Sequence, residues 1–204
     1  MIDAVPKEII GMYEPKTTNE LKDEIKKNVL FAENNAKTNE YRWAAHGYAN
    51  AVKYCSKLGK PFKSELRDYL EKARIYDEKE IDEYIKKGNY PLAASGYKQL
   101  ASLDEEYGGK KLASIYLMRA EELYVKAADY EAAANIAVSL NQMEEAKALF
   151  KCAYYKWAYI VAHGKMHKRR GPPCLWPPLG LTSQERIERL KGKFQKLFGE
   201  KIDA

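Results

Sequence analysis

Two histidines and one cysteine near the C-terminus have side chains that commonly bind zinc. His163 and His167 are four positions apart, which places both imidazoles on one face of a helix, and Cys174 follows seven positions later. The sequence offers no fourth ligand, and the positive charges around His167 would repel a metal ion. We therefore predict that the protein holds no metal and no other cofactor.

A run of basic residues in the same region could contact phosphates. Lys165, Lys168, Arg169 and Arg170 are followed by Trp176, whose indole could stack on a base. The alternative is a solvated cluster of cations that complements the dipole at the C-terminal end of the preceding helix. No motif that reads RNA or DNA is present, so an interaction here would be with an anionic surface in general.

The rest of the chain contains no recognisable catalytic motif. It has no phosphate-binding loop, no glycine-rich turn between a strand and a helix, and no Gly-x-Ser-x-Gly sequence. The acidic pairs Glu121-Glu122 and Glu144-Glu145 have no histidine at the spacing of a diiron site, and the other carboxylates are scattered as on solvated helix faces. We expect a protein without enzymatic activity, and an unrecognised enzyme or metal protein is the third hypothesis.

The net charge of the chain is concentrated at one end. The 204 residues have a net charge of +6; residues 1–163 contain 25 basic and 25 acidic residues, and residues 164–204 contain 10 and 4. The three cysteines form no Cys-x-x-Cys pair, which predicts reduced and mostly buried thiols. Because the chain has no run of 18 apolar residues and its N-terminus lacks the apolar stretch of a signal peptide, we expect a cytoplasmic protein.

The elements that position these residues are all predicted to be helices. Apolar residues recur every three or four positions, and no alternating run of β-branched residues is present. Thr18 is the expected cap of the first helix, Gly59 ends the second, and Pro61 opens the third. The short connections favour antiparallel neighbours. The breaks predict nine helices, over residues 18–35, 38–58, 61–76, 78–87, 90–106, 110–128, 130–140, 143–163 and 182–198.

Three of the predicted turns resemble one another. In each, a small or polar pair precedes an aromatic residue or methionine, an alanine follows three positions later, and further apolar residues follow four and seven positions after the alanine. Such alanines allow two helices to approach closely, and larger residues fill the space between them. The copies are Gly88-Asn89-Tyr90-x-x-Ala93-x-x-x-Tyr97-x-x-Leu100, Ala128-Asp129-Tyr130-x-x-Ala133-x-x-x-Ala137-x-x-Leu140 and Asn141-Gln142-Met143-x-x-Ala146-x-x-x-Phe150-x-x-Ala153.

This pattern resembles the tetratricopeptide repeat, whose second helix is built in this way. The resemblance covers about residues 78–158 and, more loosely, the hairpin at 38–76. Ile81 and Glu121 occupy positions where the family has a small residue, no copy ends in proline, and the spacing is irregular. The chain is also similar to the helical stack of the soluble NSF attachment proteins. Both resemblances imply an all-α fold of antiparallel helical hairpins, stacked as a short α-solenoid. The alternative is an irregular helical bundle, because any helical hairpin rich in alanine and tyrosine matches part of this pattern.

The tetratricopeptide resemblance implies a peptide-binding groove lined by the first helices of the repeats. Family members that hold a C-terminal carboxylate use Lys and Asn there, whereas the corresponding positions here are Glu78, Asp82, Met118 and Glu122, so this clamp is absent. The groove candidates are aromatic and basic, with packing between helices as the alternative role for the tyrosines. They are Tyr84, Lys87, Tyr116, Arg119 and Tyr124.

The C-terminal fifth is predicted to be a basic, proline-rich segment followed by a capping helix. Four of the eight prolines lie within residues 172–178, which excludes a helix there. Thr182 and Glu185 match a capping box at the start of the last helix. The apolar face of this helix consists of Ile187, Leu190, Phe194, Leu197 and Phe198. This face either covers the end of the helical stack or, beside its basic residues, binds an acidic membrane or an acidic partner.

These observations favour a non-catalytic scaffold or adaptor that binds a peptide or helix of another protein. We expect a helical-repeat domain over residues 1–163, with the appendage at 164–204 packed on it. The alternative function is an adaptor for an anionic surface, either RNA or DNA or an acidic membrane, through residues 165–170 and the last helix. A homodimer is a further expectation, because terminal repeats often associate.

Overall fold

The computed structural model describes residues 17–163 and 182–202, and the regular structure in these ranges is entirely helical. The prediction of an all-α protein is therefore confirmed. The helices are α1 (Thr18–Lys37), α2 (Tyr41–Leu58), α3 (Lys63–Lys86), α4 (Tyr90–Leu103), α5 (Lys110–Lys126), α6 (Tyr130–Ser139), α7 (Met143–Ala162) and α8 (Ser183–Phe198). A 3₁₀ turn, Lys60–Phe62, precedes α3, and a π-helical turn, Asp104–Gly108, follows α4. None of the described helices combines the length and apolar character needed to cross a membrane.

Two local predictions about helix ends are wrong. The predicted break between residues 76 and 78 does not occur, because nothing in the 24 residues of α3 interrupts a helix: the segment contains neither glycine nor proline. The cap of α1 is Thr17 rather than Thr18. Its hydroxyl accepts the N–H of Glu20 at 3.2 Å, and the Glu20 carboxylate accepts the N–H of Thr17 at 2.9 Å.

The described residues belong to two compact units. The first unit contains residues 17–83 and 102–113, and the second contains residues 84–101, 114–163 and 182–202. In the first unit α1 and α2 pack closely at Gly47, where an added Cβ would lie 2.9 Å from both the Ala32 Cβ and the Asn28 carbonyl oxygen. Nearby, the Tyr48 ring stacks on that of Tyr76 with centroids 5.8 Å apart, joining α2 to α3.

The first unit also contains a buried ion pair at the π-helical turn. Asp104 is fully buried, and its carboxylate accepts hydrogen bonds from Arg74, with Nε 3.0 Å from Oδ1 and 3.2 Å from Oδ2. A Cβ at Gly108 would overlap both the Asp104 carboxylate and the Arg74 guanidinium. A larger residue at this position would therefore force the ion pair or the turn to shift.

In the second unit α8 packs on α7 through its apolar face. Leu190 and Phe194 are fully buried in a cluster with Phe150, and Ile187 is nearly so. The predicted capping box is present at Thr182, and the predicted apolar face is covered by α7 and its neighbours. An ion pair between Arg189 and Glu131 of α6, with Nη2 2.6 Å from Oε2, further ties α8 to this unit.

Four helix-to-helix turns share one backbone geometry. The first residue of each turn pair has a positive φ, with values of 61° at Asn39, 69° at Gly88, 54° at Ala128 and 61° at Asn141. The N–H of the second residue donates to the carbonyl five positions earlier, at 2.9 Å for Glu40 and 2.8 Å for Asn89, Asp129 and Gln142. The alanine four positions beyond each second residue is fully buried: Ala44, Ala93, Ala133 and Ala146. The turn at Asn39 thus adds a fourth copy of the pattern, in the hairpin where the resemblance was loose.

The thiols differ in exposure. Cys55 is fully buried, and burial raises its pKa to about 11, which agrees with the prediction of a buried thiol. Cys152 is exposed, so the same prediction is wrong at that position. Cys174 lies outside the described residues.

Candidate functional site

A cleft of about 490 Å³ opens in the second unit beside α5 and the beginning of α7. The residues from α5 are mixed apolar and charged, and those from the start of α7 are polar. The lining consists of Met118, Glu121, Glu122, Val125, Lys126, Gln142 and Glu145.

Two residues that line this cleft each have a buried side-chain oxygen with no hydrogen-bond partner. Glu121 is 6% exposed, and its Oε1 is unpaired. The side-chain oxygen of Gln142, Oε1, is likewise buried and unpaired. Buried polar atoms in native proteins nearly always have a partner, because an unpaired one costs about 1–3 kcal/mol. Both atoms are acceptors, so each of them lacks a hydrogen-bond donor in the free protein.

The electrostatic environment of Glu121 favours its protonated form. Burial is the main cause that raises its pKa, to about 7, and the negative charges of Glu145 and Glu122 add to this effect. A protonated Glu121 can also donate a hydrogen bond to the Glu145 carboxylate, which raises the pKa further. At neutral pH the protonated and ionised forms are therefore both populated, and a bound cation would favour the ionised one.

The local structure explains how these side chains reach the cleft. Gln142 is the N-cap residue of α7, but its side chain makes no capping hydrogen bond. At the equivalent position of the preceding turn, Asp129 does cap α6 and accepts the N–H of Ala132 at 3.2 Å. Glu121 lies on α5 one turn away from Met118 and from Val125, which are 42% and 39% exposed. Glu121 thus lies beside an apolar rim formed by Met118 and Val125, next to the exposed charges of Glu122 and Lys126.

The lining combines hydrogen-bond acceptors and negative charge with two exposed apolar side chains: Glu121, Glu122 and Glu145 contribute carboxyl groups, and Met118 and Val125 are apolar. In residues 17–163 and 182–202 no cluster of three or more histidine, cysteine, aspartate or glutamate side chains could hold a metal ion. A ligand that fits would bring N–H donors, positive charge and an apolar stem.

The groove candidates predicted from the sequence lie elsewhere in the second unit. Tyr116 is 4% exposed and its ring stacks on Tyr97 at 5.8 Å, so little of it could meet a ligand; its role there is packing between helices. Arg119 is exposed and lies over the same Tyr97 ring, with Cζ 5.6 Å from the centroid. Tyr84 and Tyr124 are half-buried and Lys87 is exposed. None of these five residues lines the cleft.

The predicted anion contacts Lys165, Lys168, Arg169, Arg170 and Trp176 lie outside the described residues, as do His167 and Cys174 of the weighed zinc site. The remaining zinc candidate, His163, is exposed. Its Nδ1 lies 2.9 Å from the Tyr159 carbonyl oxygen, to which an Nδ1–H would donate.

Sequence reasoning missed Glu121 and Gln142 as candidate site residues. In the sequence, Glu121 is a candidate ligand only within an acidic pair, which lacks the histidine of a diiron site. The signal that could have identified it was its position, since the tetratricopeptide pattern requires a small residue there and a glutamate must instead be accommodated in the packing. Gln142 had no such signal, because a polar residue is ordinary in a helix-to-helix turn.

No family model matches the chain, and no curated protein is significantly similar to it in sequence.

Proposed function

We propose that this protein is a non-catalytic scaffold that binds a segment of another protein, and that the cleft beside α5 and α7 is its recognition site. The observation that carries this proposal is the pair of buried, unpaired oxygens of Glu121 and Gln142, two residues that line one open cleft. Their cost to the free protein would be offset when a partner supplies the missing donors.

The four equivalent turns support a repeat architecture for this scaffold. Each combines a residue of positive φ, a hydrogen bond to the carbonyl five positions back and a fully buried alanine. We propose that the helical hairpins are degenerate tetratricopeptide-like repeats and stack as a short solenoid, the architecture that the sequence resemblance implies. Repeat folds of this kind offer long surfaces to other proteins, which agrees with a binding role.

The alternative, an adaptor for an anionic surface, has less support in the described residues. Its last-helix form requires an apolar face that is free to enter a membrane, and that face of α8 is buried against α7. Two of the cations on α8 are also engaged within the unit: Arg189 pairs with Glu131, and Arg186 lies 4.8 Å from the centre of the Trp157 ring. The basic run at 165–170 remains the basis of this alternative.

The proposal can be tested by capture of partners with two matched variants. Met118→Lys places an ammonium group at the rim, where it can reach the cleft carboxylates and occupy them. Leu92→Lys is the control: Leu92 is a similarly exposed apolar residue of the same unit, 47% against 42%, and does not line the cleft. The bait is the full chain in source-cell lysate, with nuclease and moderate salt.

We expect a protein captured by the wild type and by Leu92→Lys to be lost with Met118→Lys. Capture that Met118→Lys leaves unchanged contradicts the assigned site. Capture that disappears with nuclease or falls steeply between about 50 and 200 mM salt favours the anionic-surface function instead. Circular dichroism of all three chains verifies that the variants remain folded.

A further inference from the structure

We infer that the cleft binds the side chain of an arginine in the partner protein. This inference rests on the proposed function and specifies the chemistry of the partner segment. Three features of the cleft support the arginine: the two unpaired acceptors, the acidic lining and the apolar rim.

The unpaired acceptors define what the ligand must donate. Oε1 of Glu121 comes from α5 and Oε1 of Gln142 from the turn that precedes α7, and both belong to residues that line the same cleft. One ligand group that satisfies both must direct N–H bonds toward two separate oxygens. A guanidinium group has five N–H donors in a rigid plane, whereas an ammonium group is a compact point charge that is more strongly hydrated.

The charges in the cleft favour a cation. Glu121, Glu122 and Glu145 contribute three carboxyl groups, and Lys126 contributes one ammonium. A guanidinium would replace the proton that Glu121 otherwise holds, because a positive charge beside the carboxyl lowers its pKa. Binding at neutral pH therefore releases part of a proton, and the affinity should increase as the pH rises through about 7.

The apolar rim can pack against the aliphatic part of the arginine side chain. Met118 and Val125 are exposed on α5, on either side of Glu121 along the helix. The three methylene groups of an arginine can pack on such a surface while the guanidinium group reaches the acceptors. The open volume of about 490 Å³ leaves room for the side chain and the adjoining peptide backbone.

The test uses blocked heptapeptides, Gly-Ser-Ala-Xaa-Ala-Ser-Gly, in which Xaa is arginine, lysine, citrulline or glutamate. Each is titrated into the isotopically labelled full chain while the backbone amide signals are followed by NMR. Citrulline has the shape of arginine without its charge, so it isolates the electrostatic contribution. We expect the arginine peptide to shift the signals of Glu121, Gln142 and Glu145, and to bind at least about tenfold more tightly than citrulline.

Two variants assign this binding to the cleft. Glu121→Gln retains the shape of the side chain and removes its charge, so it should weaken the arginine peptide by about tenfold and abolish the increase in affinity between pH 6 and pH 8. Glu144→Gln is the matched control, since Glu144 is an exposed neighbour on α7 that does not line the cleft, and it should change the affinity less than about twofold.

The outcomes separate this inference from the function on which it rests. A lysine, citrulline or glutamate peptide that binds the same amides as tightly as arginine overturns the arginine assignment and leaves a protein-binding cleft. An arginine peptide that binds Glu121→Gln and wild type equally overturns the site. The absence of any peptide-induced shift, together with lysate capture that survives Met118→Lys, overturns both proposals.

A further variant distinguishes a partner from the chain's own basic run. It replaces Lys165, Lys168, Arg169 and Arg170 with serine. If the arginine peptide shifts the cleft signals only in this variant, the occupant is the chain itself, and the assignment to a partner is wrong.

Discussion

Two buried carboxylates, one in each unit, have opposite surroundings: one has a cationic hydrogen-bond partner and the other lies among further carboxyl groups. Asp104 is fully buried in the first unit and accepts hydrogen bonds from both Nε and Nη2 of Arg74, while the turn around it has a glycine where a Cβ would overlap the ion pair. Glu121 is almost as deeply buried in the second unit, yet its Oε1 has no partner and its nearest charged neighbours include Glu122 and Glu145.

This difference distinguishes Asp104, a charge that stabilises the fold, from Glu121, a group that is available to bind a ligand. A buried ion pair with complete hydrogen bonding fixes the conformation of the chain around it. A buried carboxyl beside other carboxyls destabilises the free protein, and such a cost is commonly found where a site must bind something. The two sites therefore predict mutational effects of opposite sign.

The largest effect is expected from Arg74→Ala. It leaves the Asp104 carboxylate buried without a counter-charge, which should lower the free energy of unfolding by about 3–5 kcal/mol. Urea denaturation at neutral pH measures this loss. Arg67→Ala is the control on the same helix, because Arg67 is exposed, and it should cost less than about 0.5 kcal/mol. Equal losses in the two variants would show that Asp104 does not depend on Arg74.

A smaller loss is expected from Gly108→Ala. The added Cβ would overlap Asp104 and Arg74, so the turn must shift, at a cost of about 1–3 kcal/mol. Gly192→Ala should instead raise the free energy of unfolding, by about 0.5–1 kcal/mol, because glycine weakens a helix relative to alanine. An added Cβ at this position of α8 meets nothing within 4 Å. Thermal unfolding compares the two. If Gly108→Ala is as stable as the wild type, the fit around the ion pair is looser than described.

A stabilising effect that depends on pH is expected from Glu121→Gln. The folded-state pKa of Glu121, about 7, lies above the ordinary value of 4.5 that applies when the chain is unfolded. Between these values the unfolded chain releases the proton first, so this group lowers stability as the pH rises from 4.5 to 7.

Glu121→Gln lacks this loss, so its stability relative to the wild type should increase by at least about 1 kcal/mol between pH 5 and pH 8. Asp77, whose pKa burial and then Glu80 also raise to about 7, is present in both chains and cancels in the comparison. Urea denaturation at the two pH values measures the difference. A relative stability independent of pH would mean that Glu121 is ionised in the folded protein as in the unfolded one.

Much of the helical structure could be predicted from local residue patterns. The capping box at Thr182, the end of α2 at Gly59 and the turns at Gly88, Ala128 and Asn141 depend on residues within a few positions of each other, and all are present. The predicted break between residues 76 and 78 is wrong, because no glycine or proline lies there to interrupt α3. The burial of Asp77, which raises its pKa to about 7, is a tertiary feature that the local sequence does not show.

The candidate site could not be predicted in the same way. It depends on Glu121 of α5 meeting Gln142 and Glu145, which lie 21 and 24 positions later and come near it only through packing of the helices. The ion pair of Arg74 and Asp104, 30 positions apart, was invisible for the same reason. Burial of a charge is a tertiary property, and a local pattern gives only the hint that a glutamate stands where a small residue is expected.

The most direct test of the account is the pKa of Glu121, measured by NMR titration of a chain with labelled glutamate side chains, alone and with saturating arginine heptapeptide. Glu121→Gln assigns the signal. The account predicts a pKa of about 7 in the free chain and a fall of at least about one unit when the peptide is bound, because the guanidinium stabilises the ionised form. A pKa near 4.5 in the free chain, or one that the peptide leaves unchanged, would contradict the claim that this carboxyl is a binding group.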